Sequence, residues 1–148
     1  MEIEIREADT PALREAAMRL RLRVFVDEQG VPEDLERDEH DAAAFHAVAL
    51  GPGGEVVGTG RLLRQENPEG PVARVGRMAV DAAHRRGGVG ARVLAALEAE
   101  ARRRGLPEVE LHAQCQVEAF YARAGYARAG EPFVEAGIEH VVMRKRLS

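Results

Sequence analysis

The run Arg85-Arg86-Gly87-Gly88-Val89-Gly90-Ala91 sets two guanidinium groups and three glycines at the mouth of an amphipathic stretch. The first turn of a helix leaves backbone N–H groups unpartnered at the positive end of the helix dipole, where anions settle. Glycines at 87, 88 and 90 permit positive φ angles and remove side chains, so a diphosphate can approach the amides of this loop through Ala91. Arg85 and Arg86 add fixed charge beside it. The loop contains no GxxxxGK[ST], so no lysine and hydroxyl follow to hold a terminal phosphate and magnesium. GxGxxG is also missing, which argues against a dinucleotide fold. What stands is R-x-x-G-x-G at Arg85, Gly88 and Gly90.

The loop has to be carried by a strand before it and a helix after it. Val75 to Val80 reads as the strand. Val89, Val93, Leu94, Leu97 and Ala101 make one apolar helix face, with Arg102, Arg103 and Arg104 in the last turn and Gly105 and Pro107 closing it. Upstream, Ile3 and Ile5 alternate with charged residues as in a half-buried strand. Thr10 as N-cap and Pro11 at the first helical position open a helix that presents Leu13, Ala17, Leu20 and Val24 and ends before Gly30. Phe45 to Leu50 and Glu55 to Arg64 read as a hairpin, and Asn67 to Pro71 as the turn into the strand before the loop. Short connections make these strands antiparallel. A strand Glu108 to Gln114, a short helix from Gln116 to Ala124, and strands Tyr126 to Gly130 and Ile138 to Leu147 complete the chain. The strands on either side of the long helix should run parallel.

A length of 148 residues suits one domain over 1–148, large enough for a core without disulfides. The lone Cys115 makes neither a disulfide nor a CxxC metal site, and no metal site is expected. A net charge of −4 argues against a nucleic-acid partner. No apolar run is long enough to span a bilayer, and the N-terminus lacks a secretory pattern, so a cytoplasmic protein is expected. Asp27, Glu28, Glu33, Asp34, Glu36, Asp38, Glu39 and Asp41 form an acidic run. It reads as a solvated surface, or alternatively as a loop whose field draws in a cationic substrate.

The glycine loop resembles motif A of the GNAT superfamily of acyl-CoA N-acyltransferases, [QR]-x-x-G-x-[GA]. Val117 to Tyr126, VEAFYARAGY, resembles motif B of the same superfamily. VFVDEQGVP, LHAQ and FVEAGIEHVVM resemble its ElaA-like branch. The resemblance covers most of the chain. It implies an α/β (α+β) fold: a central mixed, mostly antiparallel sheet whose fourth and fifth strands splay apart, flanked by about four helices.

It also implies acetyl-CoA as co-substrate, bound through Arg85 to Ala91 and through the backbone of Met78, Ala79 and Val80. The acceptor would be a small-molecule or protein amine, attacked directly in a ternary complex, and a homodimer would be in keeping with the family. Tyr121 aligns with a tyrosine placed near the thioester sulfur, where a phenol of pKa about 10 can protonate a thiolate of about 8.5. Gln114 stands where the family often has a cofactor-binding asparagine. Deprotonating a primary ammonium at pH 7 costs roughly 4–5 kcal/mol, so a base would help. Some members hold a glutamate on the fourth strand, where this chain has Arg74 and Arg77. Other candidates are Glu28, His46, His112, Glu135 and His140, with Glu110 and His112 on one strand face. A fold member that binds CoA without turnover is the alternative reading.

Overall fold

The computed structural model describes residues 2–33 and 38–147. Thr10 caps the first helix as its residue type dictates, its hydroxyl accepting from the Leu13 N–H at 3.1 Å, and Pro11 opens it. The elements are β1 (Glu4–Glu7), α1 (Pro11–Arg21), a π-helical segment (Leu22–Glu28), a 3-10 turn (Glu39–Ala42), β2 (Phe45–Leu50), β3 (Val56–Asn67) and β4 (Gly70–Val80). A 3-10 turn (Ala82–His84) leads to α2 (Val89–Arg103) and β5 (Glu108–Gln114). A further 3-10 turn (Cys115–Val117), α3 (Glu118–Arg123), β6 (Ala127–Arg128), β7 (Phe133–Glu135) and β8 (Ile138–Arg146) follow.

One sheet of eight strands runs β1-β2-β3-β4-β5-β8-β6, with β7 beside β6 on the same edge of β8. Every pairing is antiparallel except β4 with β5, as the long helix between those strands requires. Three α-helices lie in full among the described residues, in keeping with a sheet flanked by about four. One correction applies. The strand expected over Tyr126 to Gly130 shrinks to Ala127–Arg128, and β7 appears where none was expected.

Alternation along the strands divides the core between two faces. Ala47 and Ala49 face a cluster with Val93, Leu94 and Leu97 of α2, while Val48 between them joins Leu20 and Val24 on the α1 side. The close approach of α2 depends on missing side chains. A Cβ at Gly58 would lie 2.7 Å from Val89 Cγ1, and one at Gly60 would lie 2.9 Å from Leu97 Cδ1. No helix among the described residues is long and apolar enough to cross a membrane.

Candidate active site

The β4–β5 ladder is short: Ala73, Arg74 and Val75 pair with Val109, Glu110 and Leu111, and there it stops. β4 continues to Val80 and β5 to Gln114 without meeting, so the sheet opens into a cleft. A bulge at the start of the cleft bends β4. Gly76 pairs with Arg61 and Ala79 with Thr59, so Arg77 and Met78 together oppose Gly60, and Arg77 takes φ 54°. Past the bulge, Met78 and Val80 turn toward α2 and Ala79 toward α1. The edge of β4 that carries these three residues has no strand partner on the β5 side.

The glycine loop closes one end of this cleft. Asp81 caps the turn before it, accepting from the Ala83 N–H at 3.3 Å and lying 3.2 Å from His84 Nδ1. Gly88 adopts φ 77°, which an L side chain resists, and is the N-cap of α2 with no side chain to cap it. The first helical hydrogen bond runs from Arg92 N–H to the Gly88 carbonyl, leaving the N–H groups of Val89, Gly90 and Ala91 for an external acceptor. Gly87, Gly88 and Arg86 are exposed. Gly90 is glycine for a second reason, since a Cβ there would sit 3.3 Å from Phe120 Cζ. Arg85 donates Nε–H to the Val80 carbonyl at 2.9 Å and reaches Glu28 at 2.6 Å. A diphosphate fits this set of donors.

Tyr121 lies on the α2 face, edge-on to Phe120 and to Tyr126 with ring centroids at 4.9 and 5.9 Å. Burial pushes its phenol up to about 12. The near match with a thiol expected from the sequence therefore widens, and proton donation to a thiolate runs further uphill than from a free phenol. Tyr126 serves the core instead, donating to the buried Glu98, which Lys145 also contacts.

The other face of the cleft is polar. Glu110, His112 and Gln114 of β5 alternate with the core residues Val109, Leu111 and Ala113 and so point away from α2. His112 Nδ1 lies 3.2 Å from Glu135 Oε2, and His140 Nε2 lies 4.0 Å from Glu135 Oε1. His140 Nδ1 donates to the Ile138 carbonyl at 2.7 Å. Phe133 makes an edge contact with His112 and stacks on His140. The His112 hydrogen bond is the largest influence on Glu135 and holds its carboxyl below the usual range against desolvation. Three of the base candidates thus form one cluster, and the unforeseen β7 hairpin delivers its carboxylate. Gln114 donates to Gln29 at 2.8 Å, joining β5 to the end of the π-helical segment.

The family model described as an acetyltransferase (GNAT) domain matches residues 9–147. The chain belongs to the GNAT acetyltransferase family. It is similar to the uncharacterized N-acetyltransferase YjcF of Bacillus subtilis, 36% identical over 130 residues that make up 87% of this chain and 89% of the relative. Among solved structures it resembles an acyl-CoA N-acyltransferase from Pseudomonas aeruginosa, with a TM-score of 0.82, 31% identity and coverage of 98% and 99% of the two chains. Escherichia coli ElaA superposes with a TM-score of 0.83 at 26% identity over 97% of this chain and 99% of its own.

In this GNAT chain the acidic segment after the first helix is divided: Asp27, Glu28, Glu33 and Glu39 are exposed, while two of its aspartates turn inward. Asp34 and Glu36 lie outside the described residues. Asp38 and Asp41 are spent on arginines. Arg21, 2% exposed, donates to both oxygens of Asp41 at 2.7 and 3.3 Å. Arg61 reaches Asp38 at 2.7 and 2.8 Å and Asp41 at 2.9 Å, and Arg77 reaches Asp38 at 3.0 Å. Burial works to raise the Asp41 carboxyl, but Arg21 and Arg61 override it and hold the group at about 2. His46 belongs to this clamp, donating Nε2–H to the Asp41 carbonyl at 2.7 Å. Desolvation lowers its pKa and keeps it neutral. Glu28 is engaged with Arg85, so of the sequence candidates only the His112 cluster stands in the open cleft.

Proposed function

We propose that this GNAT protein acetylates an amine by direct attack on acetyl-CoA within a ternary complex. The observation that carries the reading is the cleft between β4 and β5, open immediately beside an uncapped helix N-terminus. In this reading the amides of Gly88 to Ala91 and the guanidinium groups of Arg85 and Arg86 hold the pyrophosphate. The pantetheine arm runs along the unpaired edge of Met78, Ala79 and Val80, whose N–H groups polarise the thioester carbonyl. Gln114 lines the opposite rim.

The amine arrives from the polar face. Its ammonium proton passes to the His112–Glu135 pair, His112 acting as base and Glu135 orienting it, with His140 beside them. The nitrogen lone pair then attacks the thioester carbon. A C–N bond forms, the C–S bond breaks, and sulfur leaves with the bonding electron pair. The nitrogen's remaining surplus proton completes the CoA thiol, with Tyr121 as the hydrogen-bond donor to the departing sulfur.

Thiol release from acetyl-CoA across a panel of amines, with calorimetric CoA binding alongside, tests this. Binding with turnover on an acceptor supports the transferase. CoA binding with no turnover on any amine favours a non-catalytic CoA module, and no CoA binding removes the assigned role of Arg85 to Ala91.

A further inference from the structure

The sequence allowed an acidic loop that draws in a cation, yet the cavity beside the cleft has the opposite sign. It encloses about 380 Å³, and its walls include Arg61, Arg64, Arg74, Arg77, Gly76 and the single carboxylate Asp38. Arg61, Arg74, Gly76 and Arg77 lie on the same sheet face as His112, the face turned away from α2. Such a volume suits a small molecule.

Most of these charges are already matched. Asp38 is shared by Arg61 and Arg77, Arg61 also holds Asp41, and Arg64 pairs with Glu66 at 2.7 Å. Arg74 is different. Among the described residues it forms no salt bridge, and its hydrogen bond is a 3.3 Å contact from Nη1 to Gln65 Oε1. The two carboxylates whose charges it feels are taken by others: Glu110 by Arg144 and Gln65, Glu135 by His112. Burial works against its charge and lowers its pKa despite them. A half-buried guanidinium without a contacting anion, facing a cavity, is set up to receive one.

We infer that the acceptor is a small amine bearing a carboxylate, and that Arg74 is the residue that binds this carboxylate. The inference rests on the transferase reading for the identity of the pocket. Arg74 sits in register with Glu110, two residues before His112 on the same face. An acceptor whose carboxylate lies on Arg74 therefore extends its amine along β5 toward His112, Glu135 and the cleft.

Matched pairs test it: amino acids against their amides, each titrated calorimetrically into the protein with CoA present and each assayed for thiol release from acetyl-CoA. The acids should bind about ten- to a hundredfold more tightly than the amides, the range of a charge-assisted contact. Arg74→Gln should raise Kd and KM for the acids by a similar factor, leaving kcat and CoA affinity within about twofold. Arg74→Lys should restore part of the loss. Amides that bind or react as well as acids overturn the inference while leaving the transferase intact. Loss of CoA binding by the unaltered protein would instead overturn the transferase reading and this inference with it.

Discussion

Glu28 holds Arg85 across the mouth of the cleft, with Oε1 2.6 Å from Nη2. The next residue, Gln29, accepts from Gln114 on the opposite rim. In the proposed reading Arg85 must leave Glu28 to meet the diphosphate of CoA fully, so the carboxylate would compete with the cofactor. Glu28→Gln should tighten CoA binding by about two- to fivefold, the scale of an exposed ion pair. Calorimetry checks this, and weaker binding would show that Glu28 supports Arg85.

Gly88→Ala isolates backbone conformation. A Cβ there meets nothing within 4 Å, so its cost comes from φ 77° alone. Stability should fall by about 1–2 kcal/mol. CoA affinity should fall about tenfold or more as the amides of the first turn are re-aimed. Urea unfolding and CoA titration measure the two effects, and an intact affinity would detach this loop from the pyrophosphate.

Tyr121→Phe should lower kcat about tenfold or more while changing CoA affinity little. Because the phenol is pushed up to about 12, it stays protonated throughout the working range. Any break in the kcat profile below about pH 10 should therefore persist in the variant. A break that vanishes would place the titration on Tyr121 after all.

Asp41→Asn removes a carboxylate shared by the buried Arg21 and Arg61 and should destabilise the fold by about 3 kcal/mol. In the unaltered protein the folded-state pKa of Asp41 lies below its unfolded value, so its ionisation favours the folded state. That contribution, about 2 kcal/mol, is complete above about pH 4 and is lost as pH falls toward 2. Urea midpoints across this window, with and without Asp41→Asn, measure it. Parallel curves would mean that other carboxylates govern acid unfolding.

The glycine loop is legible as a helix entry because an N-cap at φ 77° favours glycine, as at Gly88. The β4 bulge was legible in principle: the residues facing α2 run Ala73, Val75, Met78, Val80, and the one interval of three marks the extra residue. The β7 hairpin was hidden, since its two-residue turn is Ala136-Gly137, with both residues at positive φ and no asparagine or aspartate to announce it. The clamp on Asp38 and Asp41 was hidden for another reason. Its arginines come from α1, β3 and β4, and no local pattern shows that Arg21, Arg61 and Arg77 converge.

The three-pair ladder between β4 and β5 also has a mechanical meaning. The seven pairs that join β5 to β8 make one rigid plate, and the ladders from β1 to β4 make another. The N-terminal strand belongs to one plate and the C-terminal strand to the other. The chain ends therefore sit on opposite sides of this narrow seam, and a ligand lying in the cleft would act as a rivet across it.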